Sequence, residues 1–116
     1  MTVLCLMERD GDGLADASLR ALESARELAG RVGAPLHVLH VLDGRFPSGA
    51  LQRELGLEEG IEEIRADWSA ADGLSAHVGP ADLLVIGSRG LHGIRALGSV
   101  SEAVAHTVPS SVLVVR

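Results

Sequence analysis

Residues 81–116 read ADLLVIGSRGLHGIRALGSVSEAVAHTVPSSVLVVR, and the order of signals inside them decides the fold. LLVI (83–86) is a continuous apolar run without alternation, the pattern of a strand buried on both faces of a parallel sheet. It predicts a strand over 82–86. GSRGLHGIRALGS (87–99) follows, with four glycines in thirteen residues. Its final serine opens Ser99-Val100-Ser101-Glu102, a capping box that starts a helix. Val100, Ala103, Val104 and Val108 recur at helical spacing over 99–108. Pro109 stops that helix, and Ser111–Val115 is a second apolar run, read as the last strand.

Upstream, the same alternation of signals repeats. VLCLM (3–7) is a short apolar run and predicts the first strand. ERDGDG breaks it with turn residues. Over 15–32, Ser18, Ala21, Leu22, Ala25, Leu28, Ala29 and Val32 fall on one helical face, and Arg20, Glu23, Glu27 and Arg31 on the other. Glu27 and Arg31 form a favourable i,i+4 pair, and Gly33 with Pro35 ends the helix. LHVLHVL (36–42) is a second buried strand, on which His37 and His40 point to opposite faces. That separation argues against a shared metal site and for core or strand-end histidines. GRFPSG reads as a loop, 50–57 as a short helix, 61–67 as a third strand near a sheet edge, and 69–78 as another short helix. Strands and helices therefore alternate throughout, which implies a parallel sheet covered by helices on both faces.

Length and composition bound what this fold can do. At 116 residues the chain makes one domain, 1–116. Aromatic residues are 2% of it, Phe46 and Trp68, so the core is aliphatic. The net charge of −6 disfavours nucleic acid and anionic membrane as partners. The acidity lies in the first eighty residues. Residues 81–116 carry Arg89, Arg95 and Arg116 against Asp82 and Glu102, so an anion is best received near the glycine loop. No lysine is present, which excludes a GxxxxGK[ST] phosphate loop. Cys5, the single cysteine, lies in the apolar run 3–7 and reads as a buried, inert thiol. The acidic cluster Glu58, Glu59, Glu62 and Glu63 reads as a solvated face. The opening lacks the basic start and the long apolar run of a signal peptide. No run approaches the ~20 apolar residues of a membrane span. The expectation is a soluble, cytoplasmic protein.

The glycine loop supports two uses. In open α/β sheets, ligands sit beyond the carboxyl ends of the strands, where chain direction switches. Gly87 lies at such an end, where glycine allows a positive φ and lets a ligand come close. The helix opened by Gly98 and Ser99 presents unpaired amides and a positive dipole end, suited to phosphate. Ser99 and Ser101 add hydroxyls, and Arg89 and Arg95 add charge. The other use is structural, since a helix that caps itself through Ser99 and Glu102 needs no phosphate.

The stretch 81–116 resembles the universal stress protein family: a strand ending in GSRG, a GS opening a helix, a proline and a VLVVR-type final strand. PLHVLHVLD, at 35–43, resembles the family's second strand. The resemblance implies a doubly wound, five-stranded, Rossmann-like sheet of strand order 3-2-1-4-5, and homodimers through the final strand, Ser111–Val115. The family contains ATP-binding and non-binding branches, the former marked by G-x2-G-x9-G-[ST]. Carried over by position, Gly87, Gly90, Gly98 and Ser99 match the phosphate- and ribose-binding elements. Ser88, Arg89, Val100 and Ser101 are their neighbours, and Ile86 leads into them. Val41 matches an adenine-side position. The family ends its first strand in Asp; here Met7 is followed by Glu8, with Asp10-Gly11 two residues later.

Two further departures are the seven residues between Gly90 and Gly98, where the motif has nine, and an abbreviated middle segment. Seven residues still span ~23 Å when extended. The first thirty residues also look like the start of the electron-transfer flavoprotein alpha subunit, which supports the fold and not a flavin.

The resemblance implies an adenine nucleotide-binding protein, with ATP or AMP as ligand, with or without Mg2+, acting as a stress-related sensor or regulator. The alternative is a nucleotide-free dimeric interaction module of the same fold. Slow ATP hydrolysis ranks last: the sequence offers neither a catalytic residue set nor metal ligands beside the loop, and His92 within it reads as a solvated side chain.

Overall fold

The computed structural model describes residues 1–7, 9–10, 13–14, 16–42, 50–56, 60–65, 78–87 and 108–115. In chain order these form β1 (Val3–Met7), β2 (Arg9–Asp10), β3 (Gly13–Leu14), α1 (Asp16–Val32), β4 (Leu36–Leu42), α2 (Ala50–Leu55), β5 (Ile61–Arg65), β6 (Leu83–Gly87) and β7 (Ser111–Val115). The architecture is α/β. Four strands, in the order β4-β1-β6-β7, form the parallel heart of the sheet, and β5, described in its backbone, pairs parallel with the outer side of β4.

The continuous apolar runs are there because both faces of the sheet are buried. Val3, Cys5 and Met7 of β1, Val38 of β4 and Val85 of β6 join Ala21, Leu22, Ala25 and Ala29 of α1 in one core cluster. Leu4 and Leu6, Leu39, Leu84 and Ile86 point the other way. They form a second cluster with Val78, against which Val108 and Val112 pack. The predicted helices 69–78 and 99–108 lie outside the described residues, apart from their last positions, Val78 and Val108.

Helix α1 follows its sequence pattern closely. Ala17, Ser18, Ala21, Leu22, Ala25 and Ala29 are buried, while Arg20, Glu23, Glu27 and Arg31 are exposed. Alanine at i, i+4 lets the helix axis approach the sheet. The Arg31 guanidinium donates to Glu27 Oε1 at 2.6 Å, the expected pair. Val32, expected inward, is 51% exposed. It is the last helical residue, followed directly by the reversal at Gly33, whose φ is +68°. The Ala34 amide donates back to the Ala29 carbonyl at 3.0 Å, closing the helix by a six-to-one bond.

The turn expected at ERDGDG is partly a ribbon. Arg9 pairs with Leu14 and Asp10 with Gly13, antiparallel, as a second sheet separate from the first. At the opposite, amino end of the sheet, Asp82 acts as a clip. Its Oδ1 accepts from the Thr2 amide at 3.0 Å and its Oδ2 from the Gly79 amide at 2.8 Å. These two bonds hold its carboxyl below the usual carboxylate range.

Candidate functional site

The topology creates one switch point. The chain leaves β1 to reach β4 on one side, and leaves β6 to reach β7 on the other. A crevice between the carboxyl ends of β1 and β6 is where an open α/β sheet receives a ligand. The two strands pair from Val3 opposite Leu83 to Cys5 opposite Val85, and they end at Met7 and Gly87. The ribbon β2–β3 grows from the end of β1, and the glycine loop leaves from the end of β6.

The expected site residues divide into three groups. Met7, Ile86 and Gly87 are brought together at the switch point. The Met7 and Ile86 side chains are fully buried, the first under α1 and the second on the other face. Val41 and Asp10 are described in their backbone: Val41 lies near the end of β4, opposite Ile64, and Asp10 lies in the ribbon, opposite Gly13. Glu8, Ser88, Arg89, Gly90, Gly98, Ser99, Val100 and Ser101 lie outside the described residues.

Gly87 differs from expectation in its reason for being glycine. Positive φ among the described residues occurs at Gly33, Gly56 and Gly60, and not at Gly87, which is an ordinary strand residue paired with Val115. The space beside it is filled. A Cβ built on Gly87 would collide with the Ala17 carbonyl oxygen and would stand 2.5 Å from its carbon and 2.9 Å from its Cβ. No real contact is that short, so the first turn of α1 sits on Gly87 and excludes any side chain. Sequence reasoning placed the glycine correctly and missed Ala17, whose partner lies seventy residues away along the chain. The signal available was the small residue at the start of a helix that must pass over a strand end.

Two nearby groups are buried in the core. Cys5 is fully buried, with its Sγ 3.8 Å from Met7 Sδ. Burial pushes its thiol from 9.0 up to about 12, against a smaller opposing effect of Arg26. It is therefore neutral and unreactive at physiological pH. His40 is fully buried at the Met7 register position, while His37 is half-buried on the other face. Among the described residues no group of three or more His, Cys, Asp or Glu is arranged to hold a metal ion, and no helix is long and apolar enough to cross a membrane.

Residues 76–116 match the model of the universal stress protein family. The chain is 31% identical over 121 residues to universal stress protein A homolog 2 of Coxiella burnetii, covering 82% of this chain and 83% of that protein. A universal stress protein solved in complex with cAMP superposes with a TM-score of 0.65 at 34% identity, covering 99% of this chain and 95% of that one. A family protein of Arabidopsis thaliana, solved with AMP bound, shares the fold at a TM-score of 0.55 and 21% identity, over 99% and 92% of the two chains.

Proposed function

The chain belongs to the universal stress protein family, and from that premise we propose that it binds an adenine nucleotide at the β1–β6 switch point and acts as a stress-related sensor or regulator. The observation that carries this reading is the position of the glycine loop, which leaves β6 at the carboxyl edge of the sheet, where such folds receive ligands. The relative solved with cAMP, 34% identical across nearly the whole chain, supports adenine as the base. In this reading the nucleotide's adenine lies toward Val41 and the ribbon carrying Asp10. Its phosphates lie toward Gly90, Gly98, Ser99 and Ser101, with Arg89 supplying charge. AMP, cAMP and ATP, the last with Mg2+, all belong to the ligand class. The proposal includes the doubly wound arrangement, with the segments 69–78 and 99–108 as helices over the second sheet face. It also includes a homodimer through β7.

A nucleotide-free interaction module is the second reading, and one observation favours it. The absence of a side chain at Gly87 is fully accounted for by Ala17, with no ligand needed. Thermal melting separates the two. A nucleotide at ~100 times its dissociation constant adds ~2.7 kcal/mol of stability. Purified protein is melted with AMP, cAMP and Mg-ATP in turn. A rise with any of them is the expected result, and an unchanged melting temperature with all three at millimolar concentration refutes nucleotide binding. Gly87→Val is not a suitable control, because it would disturb α1 whether or not a ligand binds there.

A further inference from the structure

We propose that Ala17 is a positioning residue for the nucleotide loop: the first turn of α1, resting on Gly87, fixes the point from which that loop departs. The inference rests on the nucleotide reading for its functional consequence, but its geometry stands apart from it. Gly87 is the last residue of β6 and the root of the loop. Its Cα face is covered by the Ala17 carbonyl and Cβ, with which a Gly87 Cβ would collide. Ala17 is itself buried, 8% exposed, so it cannot swing away into solvent. The residue also follows closely on the ribbon β2–β3, which extends from the end of β1. This close approach therefore ties the start of α1, just after the ribbon, to the end of β6. The Ala17 Cβ stands 2.9 Å from where a Gly87 Cβ would be, so in a close-packed interior a larger side chain at position 17 crowds the end of β6.

The test compares Ala17→Val with Ala29→Val. Ala29 lies on the same buried helix stripe, 6% exposed, at the end of α1 away from the crevice. Both variants lose stability by overpacking, so melting alone does not distinguish them. Amide hydrogen exchange just after Gly87, measured without ligand, does. Exchange there should be at least tenfold faster in Ala17→Val than in Ala29→Val, and AMP affinity by calorimetry should fall at least tenfold in Ala17→Val and less than twofold in Ala29→Val. Equal exchange and equal affinity in the two variants overturn the proposal. Altered exchange in a protein that binds no adenine nucleotide in any form upholds the positioning and overturns the nucleotide reading. Should Ala17→Val fail to fold, Ala17→Ser, one atom larger than alanine, takes its place. Because the closest atoms are main chain, Ala17→Gly should not rescue Gly87→Ala; a full rescue would show that the contact is only between side chains and overturn the proposal.

Discussion

At the scale of single residues, burial and hydrogen bonding set two opposite titrations. Cys5 has its pKa raised from 9.0 to about 12 in the folded chain. A group raised on folding contributes stability that is complete below its unfolded value and is lost as pH climbs toward its folded one. Between pH 9 and 12 the chain should therefore lose about 1.4 kcal/mol per unit. The composition makes this test clean, since the chain has no tyrosine and no lysine to titrate in the same window. Denaturant midpoints measured from pH 8 to 11 should fall, and Cys5→Ala should flatten the fall while lowering the plateau; an equal slope in both proteins would assign the effect elsewhere. Asp82 behaves in the other sense. Its carboxyl is held below the ordinary value of 3.8 by the Gly79 and Thr2 amides. Its contribution is present above that value and disappears as pH falls through the lower, folded one. Asp82→Ala should cost roughly 1 kcal/mol at pH 7, with the difference from the parent shrinking toward pH 3. Melting of both proteins across that range would reveal a constant difference if the two bonds carried nothing.

At the scale of the element, α1 shows three glycine environments or contacts that respond differently to the same substitution. Gly30 lies inside the helix with nothing within 4 Å of a Cβ, so Gly30→Ala should stabilise by about 0.5–1 kcal/mol through helix propensity. Gly33 has equally open space but a φ of +68°, so Gly33→Ala should cost about 1 kcal/mol. Gly87, under the first turn of α1, should be the most damaging of the three, because the obstacle is backbone. Chemical denaturation of the three variants should rank them in that order, and a stabilising Gly33→Ala would contradict the observed helix end. The sequence made much of this legible and the limit is physical. The largely apolar runs mark 3–7, 36–42 and 111–115 to the residue, and in β1 the reason is two-sided burial, which leaves no polar position in the strand. The helical stripe of α1 and the Glu27–Arg31 pair were equally readable, since both depend on neighbours three and four residues away. The ribbon at 9–14 was not, because two-residue strands carry no period. Nor was the reason for Gly87, which depends on a contact with Ala17 that no local pattern encodes. The topology places Met7 at the end of β1 and Ile86 and Gly87 at the end of β6, and their part in a nucleotide site, like that of the loop positions, is a proposal.

At the scale of the whole molecule, the sheet ends in two edge strands. β5, paired with β4, is one of them. On the other side, β7 pairs with β6 through one of its edges, and among the described residues no strand pairs with its other edge. Leu113 and Val114 of β7 are 41% and 42% exposed, and strand alternation turns them to opposite faces. An exposed apolar edge strand of five residues, without a charge or proline inside it, is a template for pairing with another chain. The proposed homodimer uses this edge. Pairing there would add main-chain hydrogen bonds along β7 and cover part of this apolar surface. Val114→Glu places a charge at a position the isolated chain already leaves partly in water, so the monomer should fold with nearly unchanged melting. The dimer should weaken by at least tenfold, because the carboxylate would have to be desolvated without a partner. Sedimentation equilibrium of the two proteins at several concentrations measures this directly. The expected result is a dimer for the parent chain and a shift toward monomer for Val114→Glu. A parent chain that sediments as a monomer at all concentrations would remove β7 as an interface, and an undisturbed dimer in the variant would move the interface to another face.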